Sequence, residues 1–169
     1  DVYVRIIDYK TGKKDFNIVK TYYGIDIQLM VYMEAAMKLV AKMRPGKNVI
    51  PAGVFYYNIS DPIVSATTES AEEIEDKIKG ELRLKGMVNS DKDIAEKMDN
   101  TEGTSLNIPV SRKADGGFDS RRSKVMNTEQ FNMLGRFVDV RAIDTADRIV
   151  GGDIRRSPYK DGQFSSCDR

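Results

Sequence analysis

Apolar positions recur along the chain with two different periods, and these periods predict the secondary structure. Residues 2–9 form a β-branched and aromatic run with alternating apolar positions, which predicts a strand ending at residues 8–10. Residues 24–42 carry apolar side chains at helical spacing, and Pro45 marks the end of that helix. The segment GVFYYNI, after Pro51, predicts a buried strand beside the first one. The apolar face predicted for the helix consists of Leu29, Met33, Ala36, Val40 and Met43.

The strand, helix and strand form a βαβ-like unit, which predicts an α/β fold with a mixed sheet flanked by helices. The charged middle of the chain predicts helical patches near residues 70–79 and 90–98, and a mobile stretch at 113–123. A last helix is predicted over 128–150, with Phe131, Leu134, Val138 and Ala142 on one face and Gly151-Gly152 after its end. We therefore divide the chain into a strand-helix-strand core (1–63), an elaboration (64–127) and a C-terminal helix and tail (128–169).

Composition narrows the class of protein. A chain of 169 residues is the size of one ordinary domain. Its 27 basic and 26 acidic side chains nearly cancel, so any nucleic-acid site must be local. The single cysteine, Cys167, indicates a reducing, cytoplasmic setting, and no stretch approaches the ~20 apolar residues of a membrane span. Both ends of the chain are expected to continue into a longer protein.

The candidate chemistry lies at the end of the first strand. In the D-x-K pair formed by Asp8 and Lys10, the spacing points both side chains to one face of the sheet. A carboxylate there can hold a divalent metal ion, and the ammonium group can position an attacking water and stabilise charge on a phosphate. Gln28 and Tyr32 are four residues apart, so they lie on the same face of the following helix.

Each of these signals has a structural alternative. A D-x-K pair occurs about once by chance in a chain of this length, so it needs context. The glutamine and tyrosine would also suit a helix that simply caps its core. Lys13, Lys14 and Lys20 follow the pair and are candidates for contacts with DNA phosphates, or they are ordinary charges of a solvated loop.

The combination of D-x-K at a strand end with Q-x-x-x-Y on the next helix resembles the RecB-like branch of the PD-(D/E)xK nuclease superfamily. Here the two motifs stand as IIDYKTG and YYGIDIQLMVYMEAA. Further segments resemble the C-terminal region of AddB or RexB helicase-nuclease subunits, so the resemblance covers nearly the whole chain. These segments are PAGVFYYNISDP, LRLKGMV, AEKMD and GGDIRRSPYKDG.

This resemblance implies a restriction-endonuclease-like fold and Mg²⁺- or Mn²⁺-dependent exonuclease activity on DNA. The parent would be a helicase-nuclease complex with an AddA-like partner that processes double-strand breaks for repair. The resemblance makes Asp8 a metal ligand together with the main chain of Tyr9, and Lys10 the catalytic lysine. Gln28 and Tyr32 would line the active site.

Two departures from the family pattern limit what this chain can do. The family's other metal-binding aspartate lies on a preceding strand that is missing here, so we expect the fragment to be poorly active. Only Cys167 remains of the four cysteines that hold an iron-sulfur cluster in related domains, so a cluster is expected in the full-length protein only. The alternatives are an inactive, DNA-binding scaffold domain and a stand-alone RecB-like exonuclease.

Overall fold

A computed structural model describes residues 1–59, 70–155, 158–161 and 164–165 of the chain. Its centre is a mixed four-stranded sheet in the order β1-β2-β3-β4, which confirms the predicted α/β fold with a mixed sheet. β1 and β2 are parallel, β2 and β3 antiparallel, and β3 and β4 parallel. The strands are β1 (Val2–Lys10), β2 (Val49–Asn58), β3 (Lys85–Asn89) and β4 (Val125–Met126).

Five helices flank this sheet in the described part of the chain. α2 and α5 pack against each other and cover β1 and β2, which confirms that the helix carrying Gln28 packs on the strand carrying Asp8. None of these helices is both long and apolar enough to cross a membrane. The helices are α1 (Ile18–Tyr22), α2 (Gln28–Met43), α3 (Ala71–Leu82), α4 (Lys92–Met98) and α5 (Thr128–Val150); a separate pair of short strands comprises β5 (Lys160–Asp161) and β6 (Phe164–Ser165).

Local sequence signals explain where the helices begin and end. Ser70 and Asn127 each form a capping box at the start of α3 and α5, and α5 has the bounds that the sequence predicts. The helix predicted over 24–42 begins later, at Gln28, because Gly24 adopts a φ of +80° that interrupts a helix. The short helix α1 before that break was not predicted.

The core lies on both faces of the sheet. Val54 and Tyr56 of β2 point toward α2 and α5, whereas Phe55 points to the opposite face. Met43, predicted on the apolar face of α2, is instead 66% exposed because it lies in the last turn, beyond the sheet. The first cluster is built around Leu29, Met30, Met33, Phe131 and Val138, and the second around Val88, Ala95, Ile108 and Val110.

The middle of the chain contributes more to the sheet than its composition suggests. β3 and β4 both fall within 64–127, and neither was predicted as a strand. The helical patches in the same region are confirmed as α3 and α4. The stretch 113–123, predicted to be mobile, is instead folded by backbone hydrogen bonds from Lys113 to Gly117 and from Asp119 to Ser111. The positive φ of Gly116 permits that turn. The boundaries of the three regions stay a prediction.

A buried carboxylate organises the loop after α4. Asp99 accepts hydrogen bonds from the Thr101 amide, the Ser105 hydroxyl and the Asn107 amide group at 2.7, 2.7 and 2.9 Å. Burial of this group raises its pKa, but the hydrogen bonds outweigh that effect and lower the pKa to about 2. The charged form of Asp99 therefore stabilises the fold.

We expect Asp99→Asn to reduce the pH dependence of stability in acid. A carboxylate with a lowered pKa contributes stability above its unfolded value near 4, and this contribution is lost as the pH falls toward 2. The wild-type free energy of unfolding should fall by roughly 2 kcal/mol more than that of the variant over this interval. Urea titrations at pH 7, 4 and 2 measure the difference, and identical acid dependence in both proteins would contradict the assignment.

Candidate active site

Asp8 and Lys10 lie on one face of β1, close to its end, as the D-x-K spacing predicts. Asp8 Oδ2 lies 2.8 Å from Lys10 Nζ, and the two side chains are 17% and 30% exposed. They follow Val4 and Ile6 in the alternation of the strand, so they point to the face that α2 covers. The pair is therefore half-buried between the end of the sheet and the beginning of α2.

Gln28 and Tyr32 extend this pair into a continuous polar cluster. The Lys10 ammonium donates to Gln28 Oε1 at 2.8 Å, and Gln28 Nε2 donates to the Tyr32 hydroxyl at 2.9 Å. Gln28 is the first residue of α2, where free backbone N–H groups favour negative charge. The structure thus brings together the four predicted residues in the order Asp8, Lys10, Gln28, Tyr32. We call these four residues the catalytic cluster.

One oxygen of this cluster lacks a hydrogen bond. Asp8 Oδ2 is buried and has no hydrogen-bond partner among the described residues. Its contact with Lys10 is a close ion pair that lacks hydrogen-bond geometry, so the two observations are compatible. A buried carboxylate oxygen without a donor suits a cation as its missing partner.

The main chain of Tyr9 lies at the open edge of the described sheet. The Lys10 carbonyl accepts a hydrogen bond from the Ile59 amide at 2.7 Å, so the backbone of Lys10 faces β2. Because successive residues of a strand direct their backbone groups to opposite edges, the Tyr9 carbonyl is directed away from β2. It is therefore not engaged by the neighbouring strand.

The loop after β1 is fixed to the sheet by residues that sequence reasoning missed. Asn58 receives a hydrogen bond from the Lys14 amide at 3.0 Å and donates one to the Lys14 carbonyl at 3.3 Å. The Lys14 ammonium pairs at 2.5 Å with Asp26, which is buried. A polar residue that ends an apolar strand and an acidic residue just before a helix are the signals that point to Asn58 and Asp26.

Tyr56 forms the floor beneath two of the ammonium groups. Lys10 Nζ and Lys14 Nζ lie 5.7 and 5.8 Å from the centroid of its ring. Burial raises the pKa of the Tyr56 hydroxyl to about 12, and the charges of Asp26 and Asp8 add to this shift. Tyr56 therefore stays neutral near neutral pH, and its ring contributes an apolar wall to the site.

The other predicted residues lie around the catalytic cluster or outside the described chain. Lys13 is strongly exposed and 4.0 Å from Glu81, whereas Lys14 is held by its ion pair. Lys20 lies on α1. Cys167 lies outside the described residues. No group of three or more histidine, cysteine, aspartate or glutamate residues that could hold a metal ion occurs within the described ranges.

A family comparison agrees with this geometry. The family model described as the PD-(D/E)XK nuclease superfamily matches residues 1–169 of the chain. The chain belongs to the PD-(D/E)XK nuclease superfamily. The mixed sheet with flanking helices is the arrangement expected for this superfamily, which confirms the fold inferred from the motifs.

Relatives of this superfamily member are much longer proteins. The chain is 39% identical over 168 residues to an ATP-dependent helicase/deoxyribonuclease subunit from Clostridium botulinum strain Hall, covering 98% of the chain and 14% of that protein. It is 36% identical over 167 residues to the protein of the same name from Thermoanaerobacter sp. strain X514, with the same two coverages. The chain thus spans about one seventh of these relatives, and the predicted resemblance to helicase-nuclease subunits is confirmed.

Proposed function

We propose that this chain is the DNA-cutting domain of a helicase-nuclease, in which it hydrolyses phosphodiester bonds as a Mg²⁺- or Mn²⁺-dependent exonuclease. The observation that carries this proposal is the catalytic cluster, in which a half-buried carboxylate, an ammonium group, an amide and a phenol are linked by contacts of 2.8–2.9 Å. The similarity to deoxyribonuclease subunits supports DNA as the substrate.

The cluster suggests a distinct task for each residue. Asp8 would hold the metal through its buried oxygen, together with the main-chain carbonyl of Tyr9. The bound metal would polarise a phosphate oxygen and lower the pKa of an attacking water. Lys10 would then orient that water and stabilise the negative charge that develops on the phosphate. Gln28 would hold the Lys10 ammonium in place, and Tyr32 would hold Gln28.

The described residues supply only part of a metal site. Magnesium requires close to six oxygen ligands, and one carboxylate with one carbonyl leaves several positions to water, substrate or further acidic residues. We propose that the chain alone binds metal weakly and cuts DNA poorly, and that a longer protein completes the site. An iron-sulfur cluster held partly by Cys167 in such a protein is proposed on the resemblance alone.

The cellular setting is likewise a proposal. The name of the relatives supports a role beside an ATP-driven helicase, with an AddA-like subunit as partner and linear DNA as substrate. Processing of double-strand breaks for repair, in the cytoplasm, is the role that this setting suggests. A stand-alone exonuclease is the less favoured alternative, because relatives that match 98% of the chain are named as helicase subunits.

A second candidate function is a DNA-binding scaffold without catalysis. The observation that favours it is the lack of a three-residue acidic group among the residues the structure describes. The intact contacts among all four residues of the catalytic cluster favour the nuclease instead, because a scaffold does not require a half-buried carboxylate beside a lysine.

The metal role of Asp8 has a direct test in a longer protein that carries this chain. Asp8→Asn keeps the shape of the side chain but removes its charge, so we expect magnesium-dependent cleavage of linear DNA to fall by about 10²-fold or more. The matched control is Asp144→Asn, on the exposed side of α5. Release of labelled nucleotides measures both rates. Equal rates in the two variants would show that Asp8 is not a metal ligand.

A further inference from the structure

A groove beside the catalytic cluster concentrates positive charge. Six basic side chains and two carboxylates, Asp15 and Glu81, line it, although the whole chain is nearly neutral. Its volume of about 380 Å³ lies within the ~300–1,000 Å³ of small-molecule sites, so it can hold phosphate and sugar groups. We call it the basic groove, defined by Lys13, Lys14, Arg83, Lys85, Arg122 and Lys124.

Strand register connects the basic groove to the catalytic cluster. Asp8 pairs with Tyr56 across β1 and β2, and Tyr56 pairs with Lys85 across β2 and β3. Residues paired in register point to the same face, so Asp8 and Lys85 lie on one face of the sheet, two strands apart. At ~4.8 Å between strands, this separation is about 10 Å, which is only a few nucleotides along one strand at ~3.4 Å per phosphate.

The cations of the groove differ in how firmly they are held. The Arg83 guanidinium donates to the Ile108 and Val110 carbonyls at 2.8 and 3.0 Å, so its charge is fixed on the groove wall. Lys124 pairs with Asp15 at 2.5 Å, with exposed fractions of 45% and 53%. Exposed ion pairs contribute ~0–1 kcal/mol, so a phosphate can replace Asp15 as the partner of Lys124.

We propose that the basic groove binds the backbone phosphates of a DNA single strand a few nucleotides from the bond that is cut. Lys85 and Lys124 are its principal contacts, Arg122 adds a mobile cation at the rim, and Asp15 competes with the DNA for Lys124. The substrate class rests on the proposed function, whereas phosphate binding rests on the groove itself. Charge without base-reading groups gives affinity without sequence preference.

The test measures binding without cleavage. A fluorescein-labelled oligothymidylate is titrated with the 169-residue chain in EDTA at several salt concentrations, by fluorescence anisotropy. The variant Lys85→Ala/Lys124→Ala should lose two phosphate contacts, which lowers the affinity by about 10- to 30-fold at 0.1 M salt and makes the salt dependence shallower by ~1.4. Asp15→Asn should act in the opposite direction and tighten binding.

The matched control is Lys42→Ala/Lys47→Ala, which removes the same charge from exposed positions near the other end of β2. β2 has ten residues, so this end lies roughly 33 Å from the groove. The control should bind like the wild type. Equal weakening in both double variants, or no tightening with Asp15→Asn, would overturn the proposal, because binding would then follow net charge alone.

Two further arms identify the ligand and separate this proposal from the proposed function. Inorganic phosphate, compared with chloride at matched ionic strength, should compete only weakly; full displacement at equal phosphate concentration would indicate a site for free phosphate and overturn the DNA assignment. Tighter binding of a DNA duplex than of the oligothymidylate would overturn the single-strand assignment. Asp8→Asn should bind the oligonucleotide normally, so failure of catalysis and failure of the groove give different results.

Discussion

Replacement of Lys10 by alanine is expected to slow magnesium-dependent cleavage of linear DNA by about 10²–10⁴-fold, the usual contribution of a positioned acid-base or charge-stabilising group. The ammonium group lies between Asp8 and Gln28, with both contacts at 2.8 Å, and alanine removes both. The measurement is the cleavage rate of a longer protein carrying the chain, at saturating DNA.

The control for this variant is Lys42→Ala, on an exposed turn of α2. It removes the same charge outside the catalytic cluster and should leave the rate within about twofold of the wild type. DNA binding by Lys10→Ala in EDTA should be preserved, which separates loss of catalysis from loss of substrate. An unchanged cleavage rate with a correctly folded Lys10→Ala protein would exclude Lys10 from the reaction.

Gly86→Ala is expected to destabilise the fold by about 3 kcal/mol or more, at the upper end of overpacking effects. A Cβ atom at Gly86 would lie 1.9 Å from the Val54 carbonyl oxygen, a backbone atom that cannot move without disturbing the β2–β3 pairing. Because Lys85 is the neighbouring residue, the same variant should also weaken the basic groove. Urea unfolding of the 169-residue chain measures the effect.

The chain offers a matched glycine for comparison. A methyl group added at Gly80, in the last turns of α3, would meet no other atom within 4 Å. Alanine is the better helix former by up to ~1 kcal/mol, so Gly80→Ala should leave stability unchanged or raise it. A similar loss of stability in both variants would show that the close approach at Gly86 does not determine the packing of β3.

The elements with strong periodicity could be predicted from the sequence, and the weak ones could not. β1 and α5 have long apolar patterns and clear ends, and the structure has them at or within one residue of the predicted bounds. β3 has only five residues, and it includes a lysine and a glycine, residues that are depleted in strands. It forms because Gly86 permits close contact with β2, which is a tertiary effect that local sequence does not reveal.

The site divides in the same way. The positions of Asp8, Lys10, Gln28 and Tyr32 follow from two short spacings on a strand and a helix, so the motifs sufficed to place them together. The role of Asn58 depends on the parallel register of β1 and β2, which periodicity does not specify. The basic groove joins residues 13–14, 83–85 and 122–124, so only the folded chain shows it.

The central claim, that this domain cuts DNA, is tested most directly by incubating a longer protein that carries the chain with end-labelled linear DNA in Mg²⁺, Mn²⁺ or EDTA. We predict degradation with either metal, none in EDTA, and much slower degradation by the 169-residue chain alone, which has one carboxylate in its catalytic cluster. Intact DNA in all conditions, with binding preserved, would contradict the claim and support the scaffold function.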